Sequence, residues 1–353
     1  MVSFNSKKMV SINFTPDSLN VVSGKFNKKA VIVDKAFRVE LEDNVYDDGD
    51  ILDMEKLAYI IQNELSLNKI STNEAIAVIN SSSVIMREAT FPKVEKNELD
   101  SIISYQIDEY IPVNTEDYVV KYLDLGTIID EGLEKQLVLL IGIKDSLIQA
   151  HMNLLKECKL KPAVMDYEGN AINKLINYGG RINTLVPKLN SVAVVNLSLK
   201  QTDFVIVDDK RLKISRIIDK TIKDCLNNIE SQIAGIETEN IYKKFFSFNK
   251  LKDSSDQNDQ IFYGIAKEEL YEIFERIELI LRYYRSRENT NPINYFVIRG
   301  IGAEMDGIAE LFKEFFDIDT YALKNMENIK LPSSLNLFAS AVGGLIRLDE
   351  VKK

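Results

Sequence analysis

The sequence predicts an α/β protein built from two related domains, with a small α/β subdomain inserted in the first. Two segments around Asn13 and Asn196 share the pattern of one β-hairpin: an apolar strand, an Asn-apolar-hydroxyl turn and a returning strand. Similar elements follow each hairpin, and a self-contained α/β block lies between the two copies. A chain of 353 residues is long enough for two domains with separate cores.

The first half starts with a small antiparallel sheet. Apolar and β-branched residues predict strands at about 9–14, 18–25 and 29–41, and a buried strand at 75–80. Between them, a helix near 53–67 carries apolar residues at helical spacing on one face.

The inserted block is predicted over residues 84–165, packed beside the first domain and not in the second. Pro92 and Pro112 bracket its first helix, which suits a unit with its own boundaries. Its predicted elements are a strand at 84–91, a helix at 96–111, strands near 117–125 and 136–143, a helix at 145–158 and a strand near 162–166.

The second half repeats the hairpin and then becomes mainly helical. The polar segment Ser247–Gln260 is predicted to be an exposed loop, and a strand at 294–299 leads into the turn Gly300-Ile301-Gly302. The other predicted elements of this half are a strand at 211–218 and helices at 220–234, 267–286, 303–316 and 334–347, while a helix at 169–178 precedes it and belongs to the first domain.

Two hairpins that each open one half of a chain are the organisation of actin-like ATPases, in which both hairpins close on the nucleotide phosphates. The predicted fold is therefore actin-like, with two ribonuclease-H-like domains. The first domain is assigned to residues 1–83, 166–185 and 333–353, and the second to residues 186–332 with an insertion at about 220–290.

Composition excludes several classes of function. Lys and Arg number 44 against 54 Asp and Glu, a net charge of −10, which gives no support for non-specific nucleic-acid binding. Cys158 and Cys225 have no metal-ligand spacing, and no metal site or catalytic residue is assigned. His151, on an apolar helical stripe, is interpreted as structural. The N-terminus lacks the apolar core of a signal peptide and no run reaches membrane-spanning length, so a cytoplasmic protein is expected.

Candidate nucleotide-binding residues lie at the hairpins and at the glycine turn: Asn13, Phe14, Thr15, Asp166, Asn196, Ser198, Thr202, Gly300, Gly302 and Ala303. Asn supplies no negative charge, whereas Mg²⁺ prefers anionic oxygen ligands. ATP and Mg²⁺ are therefore expected to bind weakly if they bind at all, and the sequence favours a protein without hydrolytic activity. A two-glycine turn after a strand also has a second interpretation, tight packing alone.

The segment 89–112 resembles a family signature. It contains Ala-Thr-Phe-Pro-Lys-Val-Glu-Lys-Asn-Glu-Leu and ends in Tyr-Gln-Ile-Asp-Glu-Tyr-Ile-Pro. This is similar to the inserted subdomain of type IV pilus assembly proteins of the PilM family, actin-like relatives of FtsA. Two further segments are similar to the family: Leu160-Lys161-Pro162 followed by Asp166, and the closing segment Ala341–Arg347. The glycine pair that the family carries after the second hairpin is absent, where Arg216–Lys220 stands.

The resemblance implies a scaffold that binds the N-terminal cytoplasmic tail of a bitopic membrane protein, PilN, between the first domain and the inserted subdomain. Recruitment to the inner face of the membrane, contact with the pilus motor ATPase or platform protein, and self-association are further implications. The expected partner-binding region contains Val84, Met86, Glu88, Glu98, Ile102, Tyr105 and Glu109.

Two alternatives remain open. The first is an active actin-like ATPase, such as a filament protein or a sugar-kinase-like enzyme, against which the two Asn residues argue. The second is an FtsA-type division protein tethered directly to membrane. It is disfavoured because the segment 348–353 is polar and not amphipathic.

Overall fold

The computed structural model describes residues 7–111, 114–183, 191–233, 238–287 and 290–347. Pro112 and the predicted domain boundary at 185/186 lie outside these residues. The first half of the chain folds into β1 (Met9–Thr15), β2 (Ser18–Phe26), β3 (Val31–Glu40), β4 (Tyr46–Asp47), β5 (Asp50–Ile51), α1 (Met54–Leu67), β6 (Glu74–Ile79), β7 (Ile85–Pro92), α2 (Lys96–Tyr110), β8 (Tyr118–Asp130), β9 (Leu133–Lys144), α3 (Asp145–Glu157), β10 (Lys161–Tyr167) and α4 (Glu168–Tyr178).

The second half contains the elements that form the second sheet and its helices. They are β11 (Ser191–Leu197), β12 (Thr202–Asp208), β13 (Arg211–Ile218), α5 (Ile222–Gln232), α6 (Thr238–Phe246), α7 (Phe248–Leu251), α8 (Gln257–Arg285), β14 (Tyr295–Arg299), α9 (Ile308–Phe316), β15 (Thr320–Ala322), β16 (Ile329–Lys330) and α10 (Ala339–Leu345).

The two main sheets have the same plan, which confirms the actin-like fold class. The first has the strand order β10-β6-β1-β2-β3-β16, and the second has the order β13-β12-β11-β14-β15. In each, an antiparallel hairpin continues into parallel neighbours: β1 pairs with β2 and β6, and β11 pairs with β12 and β14. The registers correspond as well, because Asn13 is opposite Asn20 and Asn196 is opposite Asp203.

The separate sheet β7-β9-β8, covered by α2, is the inserted unit, but it is shorter than predicted. Strand β10 forms the edge of the first main sheet, and Leu154 and Leu155 of α3 belong to the same buried cluster as Val10 of β1. The predicted end of the insert at residue 165 is therefore wrong, and its sheet ends with β9. The unit also contacts the second domain, because Glu88 pairs with Lys213 at 3.0 Å.

The segment Ser247–Gln260 is partly helical and not an exposed loop. Phe248 and Leu251 of α7 are buried, and α8 begins at Gln257, ten residues before the predicted start. The Asp256 side chain caps this helix by accepting the Asn258 N–H at 2.8 Å. The helix predicted at 303–316 begins at Ile308, after a short 3₁₀ turn at Ile301–Glu304.

The glycine pair of α10 lets this helix pack against the first sheet and α4 at close range. A Cβ at Gly343 would lie 2.1 Å from the Ala171 carbonyl oxygen, and one at Gly344 would lie 2.7 Å from the Ser11 Oγ. The C-terminal segment thus closes the first domain. None of the helices in the described ranges is both long and apolar enough to cross a membrane.

Candidate functional site

A direct hydrogen bond joins the two main domains beside the hairpins. Asn80 follows β6, the parallel neighbour of β1, and Asp203 lies on β12 of the second hairpin. The Asn80 Nδ2 donates to the Asp203 Oδ1 at 2.7 Å, and both side chains are buried. The interior of the cleft between the hairpins is therefore closed by side chains of the chain itself.

Asp203 is the acceptor at the centre of this cleft. The Asn196 Nδ2 donates to Asp203 Oδ2 at 2.7 Å, and the Gln201 Nε2 donates to Oδ1 at 2.7 Å. Arg299, at the end of β14, lies 3.9 Å from Oδ2. Asn196 thus acts as a donor that holds a carboxylate, and it is not directed at a metal or phosphate.

A second carboxylate lies behind Asp203. Arg299 Nη2 donates to the Glu168 Oε1 at 2.5 Å, and the Ser340 Oγ donates to the same oxygen at 2.7 Å. Glu168 and Arg299 are almost fully buried. Burial, and then the negative charge of Glu168, raise the pKa of the Asp203 carboxyl, while Arg299 opposes the shift. Glu168, Arg299, Asp203, Asn80, Asn196, Gln201 and Ser340 are named the cleft network from here on.

An ion pair at the cleft mouth joins the same two domains. Lys200, in the turn of the second hairpin, donates to Asp43 of the first domain, and Lys223 lies 3.5 Å from the same carboxylate. The hydrogen bond and charge of Lys200 lower the pKa of Asp43. The pair is solvent-exposed, so it adds less to closure than the buried cleft network does.

The predicted residues of the first hairpin serve the fold. Asn13 donates to the Val78 carbonyl at 3.5 Å, and Phe14 packs edge-on against His151 with ring centroids 4.9 Å apart. The Thr15 Oγ1 donates to the Ser18 carbonyl at 2.8 Å and closes the turn. The polar residues of this turn, Asn13, Thr15, Asp17 and Ser18, are all buried.

Asp166 and the glycine turn are also occupied by internal contacts. Lys174 donates to the Asp166 carboxylate at 2.6 Å. Gly300 has φ of +81°, and a Cβ there would lie 2.5 Å from the Asn196 Oδ1. A Cβ at Gly302 would lie 2.5 Å from the Leu197 Cβ, and the Ala303 N–H donates to the Gly300 carbonyl at 3.1 Å. The packing interpretation of this turn therefore matches its geometry.

The remaining two predicted residues lie on the second hairpin. The Ser198 Oγ donates to the Asn196 Oδ1 at 3.1 Å. Thr202 is fully buried, and its Oγ1 has no hydrogen-bond partner among the residues that the structure describes. The structure thus brings Asn196, Ser198 and Gly300 together, while Asn13 and Asp166 serve contacts within the first domain.

The charged and amide groups of the cleft are largely engaged with one another. A triphosphate needs cationic or N–H donors; in the cleft network the one guanidinium is paired with Glu168, and the amide groups of Asn80, Asn196 and Gln201 already donate to Asp203. Within the described ranges no group of three or more His, Cys, Asp or Glu residues is placed to hold a metal ion. No catalytic step is derived from this cleft.

A wide open groove lies elsewhere, between the inserted unit, the first domain and the tip of the β12–β13 hairpin. It has a volume of about 1090 Å³. Strand β8 forms one wall, and α4 with the C-terminal segment forms the opposite wall. Its lining residues are Val94, Lys96, Leu99, Asp100, Lys121–Gly126, Gln136, Asn170, Asn173, Lys174, Asp209–Arg211, Ile346 and Arg347. This feature is named the β8 groove.

The β8 groove offers unused binding groups. Strand β8 is the edge of its sheet and pairs only with β9 among the described strands, so one side of its backbone is open. Lys96, Lys121, Lys210, Arg211 and Arg347 have no carboxylate partner within the described part of the chain. Apolar contact is available from Val94 and Leu123, which are only partly buried, whereas Leu99 and Leu125 on the same walls are almost fully buried. These groups suit an extended peptide.

Comparisons with known proteins agree with this architecture. Residues 12–338 match the family model described as type IV pilus assembly protein PilM. The chain belongs to the PilM family. No curated protein sequence matches it.

Solved structures of similar fold cover nearly the whole chain. A structure described as the PilM–PilN type IV pilus biogenesis complex has a TM-score of 0.77 at 14% identity and covers 97% of this chain and 100% of its own. The ethanolamine utilization protein EutJ of Carboxydothermus hydrogenoformans has a TM-score of 0.55 at 11% identity, covering 96% and 89%. MreB5 of Spiroplasma citri bound to AMPPNP has a TM-score of 0.53 at 13% identity, covering 98% and 97%. At these identities the likeness shows the fold.

None of the seven residues predicted for partner binding lines the β8 groove. Met86 is buried, and Glu88 pairs with Arg287 of the second domain at 2.7 Å as well as with Lys213. Glu98, Tyr105 and Glu109 lie exposed on α2, while Val84 and Ile102 are partly buried. The open edge at this groove is β8 and not β7, which sequence reasoning missed because strand order within a sheet depends on long-range pairing.

His151 is a fully buried core residue, and its structural role is shown by its contacts. Its Nδ1 donates to the Leu147 carbonyl at 2.8 Å, which leaves Nε2 to accept from the Tyr46 hydroxyl at 3.2 Å. Burial lowers the pKa of the imidazole to about 4. The ring is therefore neutral at pH 7 and supports the first hairpin through Phe14.

Proposed function

We propose that the chain is a scaffold of type IV pilus assembly that binds the N-terminal cytoplasmic peptide of a PilN-like bitopic membrane protein in the β8 groove. The observation that carries the proposal is the open groove beside an unpaired sheet edge, in a chain of the PilM family. The structure described as a PilM–PilN complex supports the same class of partner.

Strand β8 supports a specific binding mode. An extended peptide that adds to a sheet edge gains main-chain hydrogen bonds, and its alternate side chains enter pockets on either side. The partly buried Val94 and Leu123 offer apolar contact beside the strand, and Lys121 and Arg211 can donate to peptide carbonyls. Burying a few apolar side chains at about 25 cal/mol per Å², less the ordering of a flexible tail, gives micromolar affinity.

Binding of this tail recruits the scaffold to the inner face of the membrane. The scaffold then links the envelope complex to the cytoplasmic motor ATPase or the platform protein. Nucleotide has no part in this function, because the cleft network already holds the two domains together. No ATPase activity is expected.

The test is binding of a fluorescent peptide of the first fifteen or so residues of the PilN-like protein from the same organism, measured by anisotropy. Asn173 lies half-buried on the α4 wall of the groove, so Asn173→Trp fills the space that the peptide needs. We expect this variant to bind at least about tenfold more weakly, the loss of about 1.4 kcal/mol.

Glu98→Trp is the matched control. It places the same side chain on the exposed face of α2, among the residues predicted from the sequence, and outside the β8 groove. Unchanged peptide binding in this variant supports the β8 groove as the binding site. If Glu98→Trp abolishes binding and Asn173→Trp does not, the peptide binds to the α2 face and the assignment is wrong.

A further inference from the structure

A second cavity, of about 590 Å³, lies on the other side of the inserted unit. It is bounded by β7, β13 and α8, and its lining residues are Met86–Glu88, Leu139, Lys213–Ile217, Leu279, Ile280, Tyr283 and Arg287. Leu279 and Tyr283 are adjacent on one face of α8 and remain 63% and 59% exposed. Two such side chains beside a cavity form an uncovered apolar floor.

The walls of this cavity are two open sheet edges with unpaired arginines. Strand β7 pairs only with β9, and β13 only with β12, among the described strands. Arg87 donates to the Met86 carbonyl and Arg216 to the Ser215 carbonyl, each at 3.1 Å. Neither exposed guanidinium has a carboxylate partner within the described part of the chain. In a protein with a net charge of −10, this cavity is a basic site with an apolar floor.

The tip of the β8–β9 hairpin is apolar and acidic, and so complements the basic cavity with its apolar floor. The last residue of β7, Pro92, pairs with Lys135, so the hairpin projects beyond the sheet at residues 128–134. Ile129 and Leu133 at the tip are 79% and 64% exposed. The same segment carries three acidic residues: Asp130 and Glu134 form exposed ion pairs with Lys135 and Lys93, each at 2.7 Å, and Glu131 has no cationic partner within the described part of the chain.

We propose that this chain associates head to tail, the β8–β9 tip of one copy entering the basic cavity between β7, β13 and α8 of a second copy. Ile129 and Leu133 cover Leu279 and Tyr283. Glu131 pairs with one of the two cavity arginines, Arg87 or Arg216, and Glu134 exchanges its exposed Lys93 partner for the other. The cavity has room for two such side chains, and charge complementarity selects the tip over the basic surfaces of the chain.

The tip cannot fill the cavity of its own copy. Glu88 at the cavity is opposite Leu139 in β9, and Leu139 is six residues from Leu133 along the same strand. At about 3.4 Å per residue the two sites are roughly 20 Å apart on one sheet. The contact is therefore intermolecular and joins two different surfaces. Each dimer keeps one free tip and one free cavity, to which further copies of the chain can bind.

Sedimentation velocity of the full chain over about 1–100 µM, the range in which small interfaces associate, tests this proposal. The wild-type protein is expected to form dimers and larger species as concentration rises. The cavity variant Arg87→Glu/Arg216→Glu and the tip variant Glu131→Lys/Glu134→Lys are each expected to be monomeric throughout. Lys28→Glu/Lys29→Glu, which changes exposed residues outside both surfaces by the same charge as the cavity variant, is expected to behave as wild type.

An equimolar mixture of the cavity and tip variants gives the decisive result. The intact tip of one fits the intact cavity of the other, so the mixture forms a dimer and nothing larger. The chain with all four substitutions has reversed charges on both surfaces and regains association. Thermal melts of each variant within a few degrees of wild type establish that the fold is intact. A wild-type chain that stays monomeric, or variants that associate as wild type does, overturn the proposal.

Discussion

The cleft between the hairpins and the β8 groove are both rich in polar side chains, but they differ in what those side chains contact. In the cleft, Asp203 accepts three amide donors and Arg299 is paired with Glu168. In the groove, Lys121 and Arg211 have no acidic partner among the described residues, and one edge of β8 is open. A site that binds must keep its donors and acceptors available. The groove meets this condition and the cleft does not.

In the function that we propose, the cleft contributes to stability and domain closure, and recognition belongs to the groove beside the inserted unit. This contrast between cleft and groove is wrong if substitutions in the cleft leave the protein stable, or if substitutions in the groove destabilise it.

The largest effect is expected from Arg299→Met. This change removes the one guanidinium of the cleft network and leaves Glu168 buried without a charged partner. We expect the free energy of unfolding to fall by about 3–5 kcal/mol, as measured by urea denaturation. The double variant Arg299→Met/Glu168→Gln removes both charges and should recover much of that loss. A single-variant cost below about 1 kcal/mol would show that the network does not hold the domains together.

The burial of His151 behind the first hairpin is tested by the pH dependence of the free energy of unfolding. His151 has a native pKa of about 4 against an ordinary value of 6.5, so the unfolded chain binds more protons than the native protein between these values. The stability contribution is present above pH 6.5 and is lost as pH falls toward 4, by about 3 kcal/mol. In His151→Gln, urea melts at several pH values should lack this loss relative to wild type. Parallel profiles for the two proteins would mean that the imidazole is not buried as described.

A smaller loss is expected from Asn196→Asp, the substitution that gives the second hairpin the carboxylate of a nucleotide-binding protein. Asn196 donates to Asp203 at 2.7 Å, so the new carboxylate faces an existing one. We expect a cost of about 2 kcal/mol at pH 7, reduced at pH 5 where the pair binds a proton. Mg·ATP should not stabilise the variant in a thermal melt. A gain in stability with Mg·ATP would instead indicate that this single substitution is enough for the cleft to bind nucleotide.

The smallest stability effect belongs to the groove. Asn173→Trp should change the free energy of unfolding by less than about 0.5 kcal/mol while it weakens the tail peptide, because the substituted side chain lies at an open surface. If the variant lost as much stability as binding free energy, Asn173 would be needed for the packing of α4. The groove would then not differ from the cleft in its contribution to stability.

Local sequence patterns predicted much of the fold. The hairpins were found because strand alternation and Asn-apolar-hydroxyl turns are short-range signals, and the matching registers of Asn13 and Asn196 confirm the repeat. The early start of α8 was missed although Asp256 is a normal N-cap residue, because the polar composition of Ser247–Gln260 outweighed it.

The side-chain contacts within the site were harder to predict from the sequence. Asn in place of Asp indicated a weak metal site, but not that Asn196 would hold Asp203. The partners Asn80 and Glu168 come from distant elements, and no local pattern links them to this hairpin. Strand order in the inserted unit was hidden for the same reason, so β7 was chosen where β8 borders the groove.

The most direct test of the central claim is isothermal titration calorimetry of one preparation with both ligands. The N-terminal peptide of the PilN-like protein should bind with micromolar affinity and one-to-one stoichiometry, and Mg·ATP should give no binding heat at millimolar concentration. Asn173→Trp should remove the peptide signal and leave the Mg·ATP result unchanged. Sub-micromolar binding of Mg·ATP, or peptide binding that persists in Asn173→Trp, would contradict the account.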